Sequence, residues 1–88
     1  MSAATQVASD EFDSHYFALP PHMQELIQRK VDAMGSRLAD FPHYRMTGSD
    51  NYRLRIGDYR VIYQFDAAKG EIYLVTLGHR REIYRNSI

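Results

Sequence analysis

The sequence predicts an α+β domain in which an N-terminal helical hairpin packs on a small, largely antiparallel sheet. Apolar residues recur at helical spacing through the first half of the 88-residue chain, whereas the second half alternates with the period of a strand. Turn signals at residues 57–58 and 67–70 divide the second half into three strands. The sequence shows no repeats or long linkers, so we expect one domain spanning residues 1–88.

The helical half divides at Pro20-Pro21. Asp10–Leu19 is expected to form a short helix, capped by Ser9 or by its own first residue, and the second proline suits the first turn of a second helix. Asp40–Pro42 ends this second helix. Its apolar stripe, which we expect to face the core, consists of Met23, Leu26, Ile27, Val31, Met34 and Leu38. Upstream, residues 3–9 are a candidate for a short edge strand.

The strand half begins with a hairpin. Gly57-Asp58 is a two-residue linker of the glycine-first type, which favours a type II′ turn. It joins a strand over Tyr52–Ile56 to a second strand over Tyr59–Phe65. The third strand, Ile72–Leu77, is mostly apolar, as is typical of a buried strand.

The turn also determines which side chains share a face of the sheet. Arg55 is expected to lie directly opposite Arg60, with Arg53 on the same face. Like charges in opposite positions destabilise a sheet, and a polyphosphate bound across the face would reverse that effect. The alternative is a solvated face on which the arginine stems cover apolar surface. The other face, which packs on the helices, is expected to carry Tyr52, Leu54, Ile56, Val61, Tyr63 and Phe65.

Charge is distributed unevenly although the formal net charge is zero. Residues 1–44 hold three basic groups against six acidic ones, and residues 45–88 hold eight against five. Seven of those eight are arginines, whose rigid fork of donors suits phosphate. The chain has no cysteine, no signal-peptide pattern and no apolar run near the roughly 20 residues that span a bilayer. We therefore expect a cytoplasmic protein without a membrane partner.

The tail that follows the third strand holds a second group of reactive side chains. It contributes His79, Arg80, Arg81, Glu82, Tyr84 and Arg85. These residues supply cations, an imidazole and a phenol, although a basic tail is more often solvated than functional. The other three histidines show no metal-ligand spacing, and there is no glycine-rich phosphate loop. Neither a metal nor another cofactor is expected.

The segment Asn51–Asp66, followed by Leu77–Tyr84, resembles the RelE/ParE toxin superfamily. The preceding pattern is similar too: a short helix, a Leu-Pro break, an amphipathic helix ending near Phe-Pro, and Gly48 before the hairpin. The resemblance covers residues 8–85 and implies a toxin of a type II toxin–antitoxin system. RelE members cleave mRNA in the ribosomal A site without a metal, by attack of a ribose 2′-hydroxyl on the adjacent phosphate. The implied partners are a cognate antitoxin, the ribosome and mRNA.

The same resemblance implies roles for five residues. Tyr84 would help to deprotonate the 2′-hydroxyl, and Arg60 would stabilise the crowded phosphate. Arg80 would assist the leaving 5′-oxygen, while Arg53 and Arg55 would hold the RNA. Further contacts to RNA are expected from Arg45 and Arg81.

Three alternatives remain open from the sequence. Some subgroups of the superfamily use a glutamate and a histidine, and His79 and Glu82 are candidates for those roles. The sister ParE class inhibits DNA gyrase without catalysis on the same scaffold. The third alternative is a small RNA-binding module that stacks bases on Tyr52 or Tyr59.

Overall fold

The computed structural model describes residues 3–86, with side chains as far as residue 83. One strand precedes two consecutive helices, and four consecutive strands and a short helix follow them. The elements are β1 (Thr5–Ala8), α1 (Asp10–Phe17), α2 (Pro21–Gly35), β2 (Tyr44–Arg45), β3 (Tyr52–Ile56), β4 (Tyr59–Asp66), β5 (Glu71–His79) and α3 (Arg80–Asn86). No helix in the described range is long and apolar enough to cross a membrane.

The five strands form one sheet in the order β1-β5-β4-β3-β2. β1 pairs with β5 in parallel, and the other neighbours are antiparallel. The predicted fold class is therefore confirmed, and the N-terminal edge strand is present. The sheet is wider than the expected three strands because the short strands β1 and β2 extend it at its two edges.

The two N-terminal helices pack on one face of this sheet. Phe12 of α1 and a stripe on α2 meet the inward side chains of the meander. The buried core consists of Phe12, Ile27, Val31, Met34, Leu38, Ile56, Val61, Tyr63, Ile72, Leu74 and Leu77. This list contains most of the predicted apolar stripe of α2 and three of the six inward residues predicted for the hairpin. The other three, which are partly buried, pack against the same core.

Local contacts explain where the helices begin and end. The Ser9 hydroxyl accepts a hydrogen bond from the amide of Phe12 (3.0 Å), which caps α1 as predicted. α1 ends two residues before the predicted Leu19, and α2 ends at Gly35, three before Leu38. The Gly35 carbonyl accepts instead from the amide of Ala4 (3.1 Å), so the chain entering β1 satisfies the end of α2.

The β3–β4 hairpin has the predicted turn and register. Gly57 has a φ of +58°, and no non-glycine residue in the described range has a positive φ, as a type II′ turn requires. Arg55 pairs with Arg60, Leu54 with Val61 and Ile56 with Tyr59. The sheet's irregularity lies elsewhere, between residues 62 and 63 where β4 meets β5.

An aromatic cluster holds the segment before β2 against the core. The His43 ring stacks on Phe65 with 3.8 Å between ring centroids. Its Nε2 is hydrogen-bonded to the Leu38 carbonyl at 2.8 Å, and its Nδ1 is hydrogen-bonded to the Tyr63 hydroxyl at 2.6 Å. Burial, with a smaller contribution from Tyr52, raises the pKa of Tyr63 well above its ordinary value.

Candidate nucleic-acid interface

The sheet face opposite α1 and α2 carries Arg53, Arg55 and Arg60, and we call it the arginine face. Its composition follows from the alternation of side chains in β3 and β4, because each arginine lies between two residues that point into the core. Arg53 and Arg55 are exposed, whereas Arg60 is only 6% exposed. The strand register places these three residues on one face, as predicted.

The side chain of Arg60 is fastened to the hairpin turn. One terminal nitrogen of its guanidinium donates to the Gly57 carbonyl (2.8 Å) and to the Tyr59 carbonyl (2.9 Å). Arg80, the first residue of α3, contacts the same turn. Its amide donates to the Asp58 carbonyl (2.7 Å), and its Nε lies 3.9 Å from an Asp58 carboxylate oxygen. The fold therefore brings Arg60 and Arg80 to one turn.

Gly78 allows the C-terminal helix α3 to pack closely on the arginine face. Gly78 is the cross-strand partner of Arg60, and a Cβ added there would lie 3.4 Å from the Ile83 side chain. Ile83 is 5% exposed, so α3 is packed against the sheet beside Arg60. Tyr84 belongs to α3 by its backbone, and its side chain lies outside the described residues.

Two grooves border Arg53 on the arginine face. One, of about 820 Å³, has an apolar floor that includes Ile62 and Val75, and a rim formed by the 45–49 loop. The other, of about 530 Å³, runs between the segment Phe41–Tyr44 and the three arginines of the face. Both are open to solvent and lie where an extended polyanion would follow the basic residues.

The remaining predicted RNA contacts differ in how they are held. Arg45 donates to the Ser49 carbonyl (2.8 Å) and to an Asp50 carboxylate oxygen (3.2 Å), so it closes its own loop at the rim of the larger groove. Arg81 is exposed at the start of α3. Its amide donates to Nδ1 of His79 (3.3 Å).

The alternative acid–base pair does not share a face in the structure. His79 pairs with Tyr59, on the side of the sheet that packs on the core, and its ring contacts the Tyr59 ring edge-on. Glu82 lies over Gly78 on the arginine face, with a carboxylate oxygen 3.7 Å from where a Cβ would stand. The geometry therefore does not favour a joint role for His79 and Glu82.

The expected stacking platforms also lie elsewhere. Tyr52 and Tyr59 are partly buried and pack against the core, which does not favour base stacking on either ring. Among the described side chains, Tyr44 is an aromatic ring that is strongly exposed on the arginine face, and it pairs directly with Arg53. The sequence contained no signal for it, because a six-residue loop separates the short strand β2 from β3.

Charged groups elsewhere in the described part of the chain leave the arginine face basic. Two ion pairs of the described residues join near neighbours in the sequence and involve none of the three arginines of this face. They join Arg37 to Asp40 and Arg45 to Asp50. Among the described residues, no group of three or more histidine, aspartate or glutamate side chains could hold a metal ion. The chemistry available at the face among the described side chains is that of guanidinium groups, neighbouring hydroxyls and the Glu82 carboxylate.

Comparisons with solved structures find the same fold in RelE toxins. The chain matches the toxin–antitoxin complex RelBE2 from Mycobacterium tuberculosis with a TM-score of 0.74 at 17% identity, covering 91% of this chain and 94% of that one. It matches a free double mutant of the E. coli toxin RelE with a TM-score of 0.75 at 16% identity, covering 96% and 93%. The RelE–RelB complex from the archaeon Pyrococcus horikoshii gives 0.71 at 22% identity, covering 90% and 97%. No curated protein sequence is similar enough to count as a match.

The fold of this chain is the one found in these RelE toxins. A family model described as the ParE toxin of type II toxin–antitoxin systems, parDE, matches residues 5–84. The chain belongs to this toxin family.

Proposed function

We propose that the chain is a ribosome-dependent endoribonuclease that cuts mRNA in the ribosomal A site and so inhibits translation. The observation that carries the proposal is the meeting of Arg60 and Arg80 at one turn, beside Arg53 and Arg55. These are the positions to which the RelE resemblance assigns phosphate stabilisation, leaving-group assistance and RNA binding. A basic face alone would favour only binding.

The proposed reaction needs a base, a cationic phosphate site and a proton donor. The ribose 2′-oxygen attacks the adjacent phosphorus while its proton passes to the base, which we assign to Tyr84. The bond from phosphorus to the 5′-oxygen breaks, and that oxygen takes a proton from solvent water, which leaves a 2′,3′-cyclic phosphate and a 5′-hydroxyl. Arg60 stabilises the charge on the phosphate, and Arg80 assists the departing oxygen.

A phenol ordinarily titrates near pH 10 and is a weak base at neutral pH. Nearby cations favour its ionised form. α3 carries Tyr84 together with Arg80 and Arg81 and packs next to Arg60 through Ile83, so these arginines can supply such cations. The assignment of Tyr84 as the base therefore depends on the packing of α3 against the sheet as much as on the phenol itself.

An antitoxin from the same operon is part of the proposal. Two of the three structural relatives named above are complexes, the toxin–antitoxin complex RelBE2 and a RelE–RelB complex, and the matching family model is described as a toxin of type II toxin–antitoxin systems. A partner that covers the arginine face with acidic groups would neutralise the proposed site.

The test is cell-free bacterial translation of a reporter mRNA, with mapping of the 5′ ends produced when the purified chain is added. We expect cuts within A-site codons and none in the same RNA without ribosomes. Tyr84→Phe should abolish cutting, whereas Tyr73→Phe removes a partly buried phenol bonded to Glu71 and should not. Arg60→Lys keeps the charge but not the fork of donors, and should reduce cutting strongly.

DNA gyrase inhibition is the second candidate, and the name of the matching family model favours it. A gyrase inhibitor would leave the reporter mRNA intact and would block supercoiling of relaxed plasmid by purified gyrase. The two assays run on one preparation separate the candidates. Intact mRNA together with blocked supercoiling would overturn the endoribonuclease proposal.

A further inference from the structure

Tyr44 stands out among the large apolar side chains that the structure leaves exposed. The described part of the chain exposes three of them strongly: Val7, Phe17 and Tyr44. A single exposed apolar residue needs no explanation, and Val7 and Phe17 lie on β1 and α1 away from the arginines. Tyr44 is 65% exposed and lies on the arginine face, so its position distinguishes it.

The strand register places Tyr44 directly opposite Arg53. Side chains opposite each other on antiparallel strands have Cβ atoms roughly 4.5–5.5 Å apart. A ring and a guanidinium this close can contact the same nucleotide. His43, the residue before it, is fixed by hydrogen bonds to Tyr63 and Leu38, so the backbone that carries Tyr44 is held in place.

Tyr44 lines the groove of about 530 Å³. Phe41, Pro42 and Tyr44 form one wall, and the arginine face forms the other. Its size falls within the roughly 300–1,000 Å³ of small-ligand sites. None of the described side chains that line the groove is acidic, so its charge suits an anion.

We infer that Tyr44 is a stacking platform for one nucleobase of a single-stranded RNA whose phosphates lie along Arg53 and Arg55. An exposed ring beside a basic track is how single strands are bound without regard to sequence. The inference deepens the proposed function, on which its choice of RNA rests, and adds a contact to the base where the arginines contact the backbone. An apolar helix in the same groove would bury guanidinium groups without partners.

The inference is tested by binding to two fluorescent oligonucleotides of equal length and charge. One is a single-stranded RNA hexamer, and the other is the same chain of ribose and phosphate without bases at the central positions. Fluorescence anisotropy at low salt is measured for the full chain and for Tyr44→Ala, Tyr44→Phe and Phe17→Ala. Phe17 is the matched control, because its ring is 69% exposed and lies on α1.

Tyr44→Ala should bind the base-bearing hexamer about 5- to 100-fold more weakly and the abasic chain with nearly unchanged affinity. Tyr44→Phe keeps the ring, so it should stay within about twofold of the parent, as should Phe17→Ala. An equal loss for both oligonucleotides, or the same loss in Phe17→Ala, would overturn the inference. Tighter binding of the abasic chain than of the hexamer by the parent would do so too.

The outcome is independent of the test of mRNA cutting. If the parent chain discriminates between the oligonucleotides through Tyr44 but cuts no mRNA, the stacking site stands and the endoribonuclease proposal fails. If the parent cuts mRNA and Tyr44→Ala binds both oligonucleotides like the parent, the endoribonuclease stands and the stacking site fails.

Discussion

Arg55 and Arg60 lie directly opposite each other across the β3–β4 hairpin, yet their surroundings differ sharply. Arg60 is 6% exposed and donates to the carbonyls of Gly57 and Tyr59. Arg55 is exposed, and the described residues provide it with no hydrogen-bond or ion-pair partner. One arginine of the pair therefore stabilises the turn, and the other leaves its donors to solvent or a ligand.

The first prediction concerns the cost of this like-charged pair. Arg55→Gln should raise the free energy of unfolding by about 0.2 to 1 kcal/mol, because it removes a repulsion between opposite positions of a sheet. Urea unfolding at low salt measures the change, and added salt should shrink it. Arg29→Gln, on the exposed surface of α2, is the control and should change stability little. No gain over that control would show that the pair carries no cost.

The second prediction separates the two roles of Arg60. Arg60→Ala removes the hydrogen bonds from the guanidinium to the carbonyls of Gly57 and Tyr59, so it should destabilise the fold by about 1 to 3 kcal/mol. Arg55→Ala is the matched control and should not destabilise it. Urea unfolding of both variants decides the matter. Equal stability of the two would mean that the bonds of Arg60 to the turn contribute nothing.

The third prediction concerns alkaline pH. Burial raises the pKa of Tyr63, so above pH 10 the unfolded chain loses a proton that the folded chain keeps. Stability is therefore unaffected by this group below pH 10 and falls as the pH rises further. Tyr63→Phe should cost about 0.5 to 1.5 kcal/mol at pH 8, through the lost bond to His43, and should flatten the fall above pH 10.

Urea unfolding of the parent and Tyr63→Phe at pH 8, 10 and 11 measures both effects. Part of the fall should remain in the variant, because burial also raises the pKa of Tyr16. Parallel curves for the two proteins would contradict the role given to Tyr63.

The fourth prediction concerns the packing of α3 on Gly78. Gly78→Ala should be tolerated, since its Cβ would lie 3.4 Å from Ile83, but the branched side chain of Gly78→Val should displace the helix. Loss of protection of α3 amides in hydrogen exchange, together with loss of mRNA cutting, is expected for Gly78→Val. Adding Ile83→Ala should then cost less than the two changes summed. Strict additivity would show that the two residues do not meet.

Features encoded within a few residues could be predicted from the sequence. Gly57-Asp58 defines both turn type and loop length, and these determine the register that groups Arg53, Arg55 and Arg60. The cap at Ser9 is equally local. The helix periodicity likewise identified the residues of α2 that pack on the core.

Features that depend on distant contacts could not be predicted. β2 is two residues long, and its pairing with β3 depends on the aromatic cluster around His43 rather than on its own sequence. Without β2, nothing places Tyr44 beside Arg53. The end of α2 at Gly35 depends in the same way on a bond from Ala4, more than thirty residues earlier.

The parallel pairing of β1 with β5 has a consequence for the order of synthesis. Ser9, between β1 and α1, donates to the carbonyl of Val75, 66 positions later. Core residues of both helices pack against Ile72 and Leu74 of the same strand. Until residues 71–79 have emerged from the ribosome, a growing chain therefore lacks β5. This strand pairs with β1 and contributes one side of the core. Contacts of such long range form late, so the sheet and its core cannot be completed before residue 79 has been made.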